Sequence, residues 1–217
     1  MSRPRVKVCG ITTPDDAVLA LDLGADFLGL NFYPGSARCL DTKQAEAIRA
    51  AVGPQARLIG VFVNHPVDDV RALADRLDLE LLQFHGDETP LDLAVFGERA
   101  IRAFRVGADF DFAELEKYPD CWGFLFDAYD EKLFGGSGRT WDHGRIRSQE
   151  IAKPWFIAGG LRPDNIAAIV GGLETSGYGV YGYDVCSGVE SAPGSKDPDL
   201  MRQFFEEIRH AQTATPS

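Results

Sequence analysis

The stretch R5-V-K-V-C-G-I-T-T-P-D-D16 decides the fold, because it reads as a β-strand that stops at glycine and gives way to a capped helix. Val6 and Val8 alternate with Lys7 and Cys9, and a period of two sends the valines to one face and the lysine and thiol to the other. Gly10 ends the strand. Thr13 then stands before Pro14, Asp15 and Asp16, with proline in the first turn and acids where a helix N-terminus favours them. A strand that hides a lysine and a cysteine on one face, followed at once by a helix, is the unit from which the rest can be read.

That unit recurs along the whole chain. Short apolar strands are expected at 5–9, 26–32, 57–63, 80–84, 100–105, 122–127, 154–158 and 182–187, as parallel strands covered on both faces should look. Helices are expected at 14–23, 42–51, 66–77, 89–97, 111–117, 141–149, 163–171 and 198–212. Asp41-Thr42 and Pro163-Asp164-Asn165 resemble the first helix start. Val67, Val70, Leu73, Ala74 and Leu77 form one apolar stripe. The glycine-rich stretch 171–182 reads as a long loop and 211–217 as a frayed tail. Eight strand–helix units within 217 residues predict an α/β fold of the (β/α)₈ TIM-barrel class, eight parallel strands with an outer ring of helices, as one domain over 1–217. An open doubly wound sheet is the alternative. Polar and glycine-rich residues after nearly every strand favour the barrel, since an open sheet gathers them at one switch point.

Composition narrows the function. The chain is 45% hydrophobic and 25% charged, with a net charge of −11. That balance, without any cluster of Lys and Arg, argues against a nucleic-acid partner. An anion can still be held by backbone N–H groups and a few local cations. Cys9, Cys39, Cys121 and Cys186 form no C-x-x-C pair and no zinc spacing, so no metal is expected and scattered thiols suit a reducing cytoplasm. No stretch approaches the ~20 apolar residues of a membrane span.

In a barrel the site lies at the C-terminal ends of the strands. There the sequence places Cys9 and Gly10, Arg38, Asn64, the Gln83-Phe84-His85 run, Asp127, and glycine turns after the sixth, seventh and eighth strands. Gly136, Gly159, Gly160, Ser187 and Gly188 are the candidate phosphate donors, since the turns after strands seven and eight are the usual phosphate site of such barrels. Singly, each glycine could simply make a tight turn. Cys9 could be an inert buried thiol, but Lys7 on the same face can favour its thiolate. Lys7 could equally pair with an acid inside the barrel, Asp184 for instance. Asp127 ends an apolar strand on the barrel side, where burial would raise its pKa and suit a general acid, or where it could cap the next turn. Arg38 carries a planar fork that suits a carboxylate. His85 could line the site, whereas His65 and His143 read as surface. Lys7, Arg38, Gln83, His85 and Asp184 are thus the candidate substrate-facing groups.

Seven motifs in register, 7–12 (KVCGIT), 29–40 (GLNFYPGSARCL), 59–64 (IGVFVN), 82–88 (LQFHGDE), 135–144 (GGSGRTWDHG), 157–166 (IAGGLRPDNI) and 184–197 (DVCSGVESAPGSKD), resemble the phosphoribosylanthranilate isomerases of tryptophan biosynthesis. The resemblance implies a (β/α)₈ barrel that converts N-(5-phosphoribosyl)anthranilate from aminoaldose to aminoketose without a cofactor. Apolar outer helix faces leave a monomer or a homodimer as the expected state. It implies Cys9 as general base, Asp127 as general acid, Arg38 facing the anthranilate carboxylate and the glycine turns as phosphate cradle. The chain departs from the family's commoner pattern at Ala37, where proline is usual, at Cys186, where serine is usual, and at Trp141-Asp142-His143. A catalytically idle phosphate-binding barrel and a Schiff-base aldolase are the other readings. The first would not need Cys9 and Asp127. The second needs a lysine at a strand end, and Lys7 lies within its strand.

Overall fold

A computed structural model describes residues 5–107, 109–128, 151–174 and 179–214. Eight parallel strands close into a barrel in sequential order: β1 (Arg5–Cys9), β2 (Phe27–Asn31), β3 (Leu58–Phe62), β4 (Leu81–Phe84), β5 (Ala100–Val106), β6 (Gly123–Ala128), β7 (Trp155–Ala158) and β8 (Gly182–Val185). The pairing of β8 back onto β1, with Lys7 opposite Asp184 and Val8 opposite Val185, closes the ring. That closure excludes the open sheet.

The helices form where the sequence caps them. Helix α1 (Pro14–Leu23) starts at Thr13, whose hydroxyl accepts from Asp16 N, and ends at Gly24 in the left-handed region. A reciprocal capping box between Asp41 and Gln44 starts α2 (Thr42–Val52). Val70, Ala74 and Leu77 of the expected stripe are the buried residues of α3 (Val67–Leu77). Four expected elements differ. The helix after β4 is only α4 (Pro90–Ala94), followed by a 3₁₀ turn at Gly97–Arg99, and the helix after β5 is a 3₁₀ turn over Phe112–Lys117. The segment 171–182 is not loop throughout, because α5 (Pro163–Glu174) runs into it. Nor is the chain end frayed from residue 211, because α6 (Pro198–Ala214) continues to Ala214. Period-3.6 burial of Met201, Phe204, Phe205, Ile208 and Ala211 carries that last helix onward. The expected helix at 141–149 lies outside the described residues.

Burial divides cleanly between the two faces of the strands. Val6 and Val8 belong to the large core between sheet and helices. A second cluster fills the ring itself: Phe27, Ile59, Leu81, Ile101, Ala103, Leu125, Phe156 and Ala158. Phe27 and Phe156 meet edge to face at 5.7 Å, and the Arg57 guanidinium lies 4.0 Å over the Phe27 ring. The interior is therefore a packed plug, and it leaves only the opposite end of the ring for polar groups. His65, read as surface, is half-buried instead, with Nε2 3.1 Å from the Phe32 carbonyl oxygen.

Candidate active site

Above the aromatic plug lies a buried polar layer. Lys7 and Asp184 are opposite one another in register, and both point inward. Lys7 Nζ donates to Asp184 Oδ2 at 2.8 Å and to Gln83 Oε1 at 2.9 Å. With its oxygen engaged, Gln83 presents its N–H to His85 Nε2, which identifies that ring nitrogen as the acceptor. Burial, and then Lys7 nearby, hold His85 down to about 3, so the imidazole is neutral. Burial alone would lower the Lys7 ammonium, but Asp184 and Cys9 outweigh it and hold its pKa raised. Burial pushes Asp184 up to about 7 against the pull of Lys7. Its other oxygen, Oδ1, is buried with no hydrogen-bond partner among the described residues.

One step further toward the strand ends stands Cys9. A side chain on Gly29, its neighbour on β2, would come within 2.8 Å of the Cys9 sulfur and 3.1 Å of Lys7 Cε. The missing side chain is what gives the thiol its place. The neighbouring Cys186 is the largest influence holding the Cys9 pKa well down, with Lys7 and Lys196 adding to it against burial. Asp127, at the end of β6, is raised above the ordinary carboxylate range, first by burial and further by Cys9, while Arg105 and Lys7 oppose. Thiol and carboxyl thus stand at the same end of the ring on strands separated by β7 and β8, close enough to affect each other's ionisation.

Arg38 follows β2 and folds over Gly10. Gly10 sits at φ +71°, and a Cβ there would lie 2.6 Å from Arg38 Cδ. The Arg38 fork grips Glu190, Nε to Oε1 at 2.8 Å and Nη2 to Oε2 at 2.5 Å. Lys196 Nζ reaches the same Oε1 at 2.9 Å and the Cys186 carbonyl oxygen at 3.0 Å. Glu190 and Lys196 belong to an unforeseen hairpin, β9 (Glu190–Ala192) with β10 (Ser195–Lys196), turned through Gly194 and fastened by Thr12 Oγ1 to the Gly194 carbonyl oxygen at 2.5 Å.

The glycine turns after β7 and β8 meet. A Cβ on Gly188 would fall 1.8 Å from the Leu161 carbonyl oxygen, so the turn after β8 lies against the chain that follows Gly159-Gly160. The structure therefore brings together Lys7, Cys9, Gln83, His85, Asp127 and Asp184 inside the ring mouth, with Arg38 at its edge and the paired turns beside it. Gly136 and Trp141-Asp142-His143 lie outside the described residues. Sequence reasoning missed Glu190, Lys196 and the part played by Cys186. The last was legible, since Cys186 is one period-two step beyond Asp184 and shares its inward face.

Such an arrangement can take a proton with a sulfur anion and give one from a carboxyl on a single small molecule, while backbone N–H groups hold an anion. Among the described residues no His, Cys, Asp or Glu cluster could hold a metal ion, and no helix is long and apolar enough to cross a membrane.

Comparison with known proteins adds four findings. The family model described as N-(5′phosphoribosyl)anthranilate (PRA) isomerase matches residues 6–207. The N-(5′-phosphoribosyl)anthranilate isomerase of Magnetococcus marinus is 40% identical over 208 residues, covering 96% of each chain. Among solved structures, phosphoribosyl anthranilate isomerase from Thermotoga maritima superposes with a TM-score of 0.81 at 31% identity, over 95% of this chain and 99% of that one. One such isomerase in complex with reduced 1-(o-carboxyphenylamino)-1-deoxyribulose 5-phosphate gives a TM-score of 0.78 at 28% identity, over 95% and 99% of the two chains.

Proposed function

The chain belongs to the N-(5′-phosphoribosyl)anthranilate isomerase family, and from that premise we propose that it isomerises phosphoribosylanthranilate with Cys9 as general base and Asp127 as general acid. One (β/α)₈ domain carries the whole reaction, in the cytoplasm, where thiols stay reduced.

The observation that carries this reading is the opposite tuning of two groups at one barrel mouth. Cys9 is held toward the thiolate and Asp127 toward the neutral carboxyl. Paired titratable groups whose surroundings push them apart are how one site supplies both an acid and a base. Asp127 gives its proton to the ribose ring oxygen, and the C1′–O bond breaks as the anilino nitrogen lone pair forms the iminium. That cation acidifies C2′. Cys9 takes the C2′ proton and the electron pair collapses toward nitrogen, giving the enolamine. Return of a proton to C1′ and loss of the C2′ hydroxyl proton give the ketone. Atoms and electrons balance without a cofactor.

The remaining groups have supporting roles. Arg38 faces the anthranilate carboxylate, for which its fork is suited. Lys7, Gln83, His85 and Asp184 form the floor beneath the sugar, and the open Oδ1 of Asp184 is available to a substrate hydroxyl or N–H. Gly159, Gly160, Ser187 and Gly188 cradle the phosphate. An idle phosphate-binding barrel would have no use for the tuned pair. The aldolase reading is weak because Lys7, the barrel-strand lysine at the site, is engaged by Asp184 and Gln83 and kept protonated, and Lys196 is engaged by Glu190 and the Cys186 carbonyl oxygen.

The test is direct. Purified protein should abolish the fluorescence of phosphoribosylanthranilate and form the deoxyribulose phosphate product. Persistence of that fluorescence with folded protein rejects the reading.

A further inference from the structure

Cys186 stands where the family more often carries serine, and its place is set by the barrel. The last register pair between β1 and β8 is Val8 with Val185. The next residues, Cys9 and Cys186, therefore leave the two strands side by side, about 4.8 Å apart across the ladder. Both follow Lys7 and Asp184 by one period-two step, so both face the ring interior. The Cys186 sulfur also packs over the chain that follows Cys9, since a Cβ on Gly10 would lie 3.0 Å from it. All four cysteines are free thiols.

The Cys186 thiol has one proton and two acceptors in reach. Glu190 Oε1 is 3.9 Å away and already accepts from Lys196 at 2.9 Å and from Arg38 at 2.8 Å. The Cys9 sulfur is the other, and when ionised it is the stronger acceptor with room for a donor. Lys196 fixes the geometry from behind, with Nζ 3.0 Å from the Cys186 carbonyl oxygen and 4.0 Å from its sulfur.

We propose that Cys186 is a positioning residue for the reaction: its S–H donates to the Cys9 sulfur, holding that sulfur anionic and aimed into the ring mouth. The assignment rests on the reading of Cys9 as the base. Among the described residues the charged groups around Cys9 are Lys7 from its own strand, Asp184 from β8, Lys196 from β10, Asp127 from β6 and Arg38 from the loop after β2. Lys7, Lys196 and Arg38 are the cations, and each is paired to a carboxylate, Lys7 to Asp184 and the other two to Glu190 of β9. None of the five supplies what Cys186 does, a neutral donor on the adjacent strand at the same level.

The experiment is the pH dependence of Cys9 alkylation by iodoacetamide, followed by peptide mass, beside the pH profile of kcat/KM. In C186A the alkylation midpoint should rise by about one pH unit, a tenfold loss of thiolate at a given pH below it. C186S keeps an O–H donor and should restore the midpoint to near the wild-type value. C186V, which fills the thiol's volume without a donor, should repeat the C186A shift, and it serves if C186A does not fold. An unmoved midpoint in C186A or C186V, or a C186S midpoint raised as far as theirs, overturns the proposal. If the midpoint moves as expected and the acidic limb of kcat/KM moves with it, both readings stand. If alkylation shifts and the kcat/KM limb does not, the hydrogen bond stands but the assignment of Cys9 as base, and with it the positioning role, is overturned.

Discussion

Lys7 and Asp184 face each other across the β1–β8 seam, Nζ 2.8 Å from Oδ2, one step below the Cys9 sulfur. Both are sealed from solvent, Lys7 completely and Asp184 to 6%. A buried pair of this kind adds little stability over an apolar pair, yet losing one partner is costly. It sets a cation under the thiol, and that is its use here.

Lys7→Met should therefore destabilise the protein by about 3–5 kcal/mol above neutral pH, where an ionised Asp184 would be left as an uncompensated buried charge. Asp184 is already raised to about 7 in the folded protein, and without Lys7 it rises further. The folded variant then binds a proton that the unfolded chain has lost, so its stability falls as pH climbs above the unfolded carboxylate value of about 3.9. The wild type loses stability in the same way up to its own Asp184 value of about 7, so urea denaturation at several pH values should show a deficit that is flat up to about pH 7 and grows above it, where only the wild type can ionise Asp184 beside Lys7. A deficit that does not grow above pH 7 contradicts the pairing.

Gly29→Ala tests the space reserved for the thiol. Its Cβ would meet the Cys9 sulfur at 2.8 Å and the Cys9 Cα at 2.9 Å. Both the sulfur and the β1 backbone at Cys9 must shift, and a misplacement of about 1 Å can cost on the order of 10²-fold in rate. Steady-state kinetics on the folded variant should show kcat falling far more than KM rises. Wild-type turnover would mean that the sulfur's position does not matter.

Arg38→Ala should raise KM by about 10–100-fold, the worth of a charge-assisted hydrogen-bonding group, with a smaller change in kcat. Arg38→Lys should recover only part, since an ammonium cannot reproduce the fork. Glu190 keeps Lys196 as a partner at 2.9 Å, so the fold should survive either change. An unmoved KM would assign Arg38 to holding Glu190 alone.

The barrel was readable because its strands and helix caps are written locally. Alternation in 5–9 separated Val6 and Val8 from Lys7 and Cys9, and the structure divides them the same way. The Lys7–Asp184 pairing was also foreseeable, from two inward charges on strands that must meet when a ring closes. What escaped was set by contacts distant in sequence. Arg38 was read as a fork for a carboxylate, and the carboxylate it holds in this structure is Glu190, 152 residues away. Nothing near Arg38 announces that partner. The β9–β10 hairpin is too short to show alternation, and α6 runs two residues past its expected end at 212.

The most direct measurement is turnover of phosphoribosylanthranilate at saturating concentration by wild type, Cys9→Ala and Asp127→Asn, with folding checked by circular dichroism. The expected result is an active wild type and two folded variants each slowed by about 10²–10⁴-fold. A folded Cys9→Ala or Asp127→Asn that turns over at the wild-type rate would contradict the pairing of sulfur base and carboxyl acid on which the account stands.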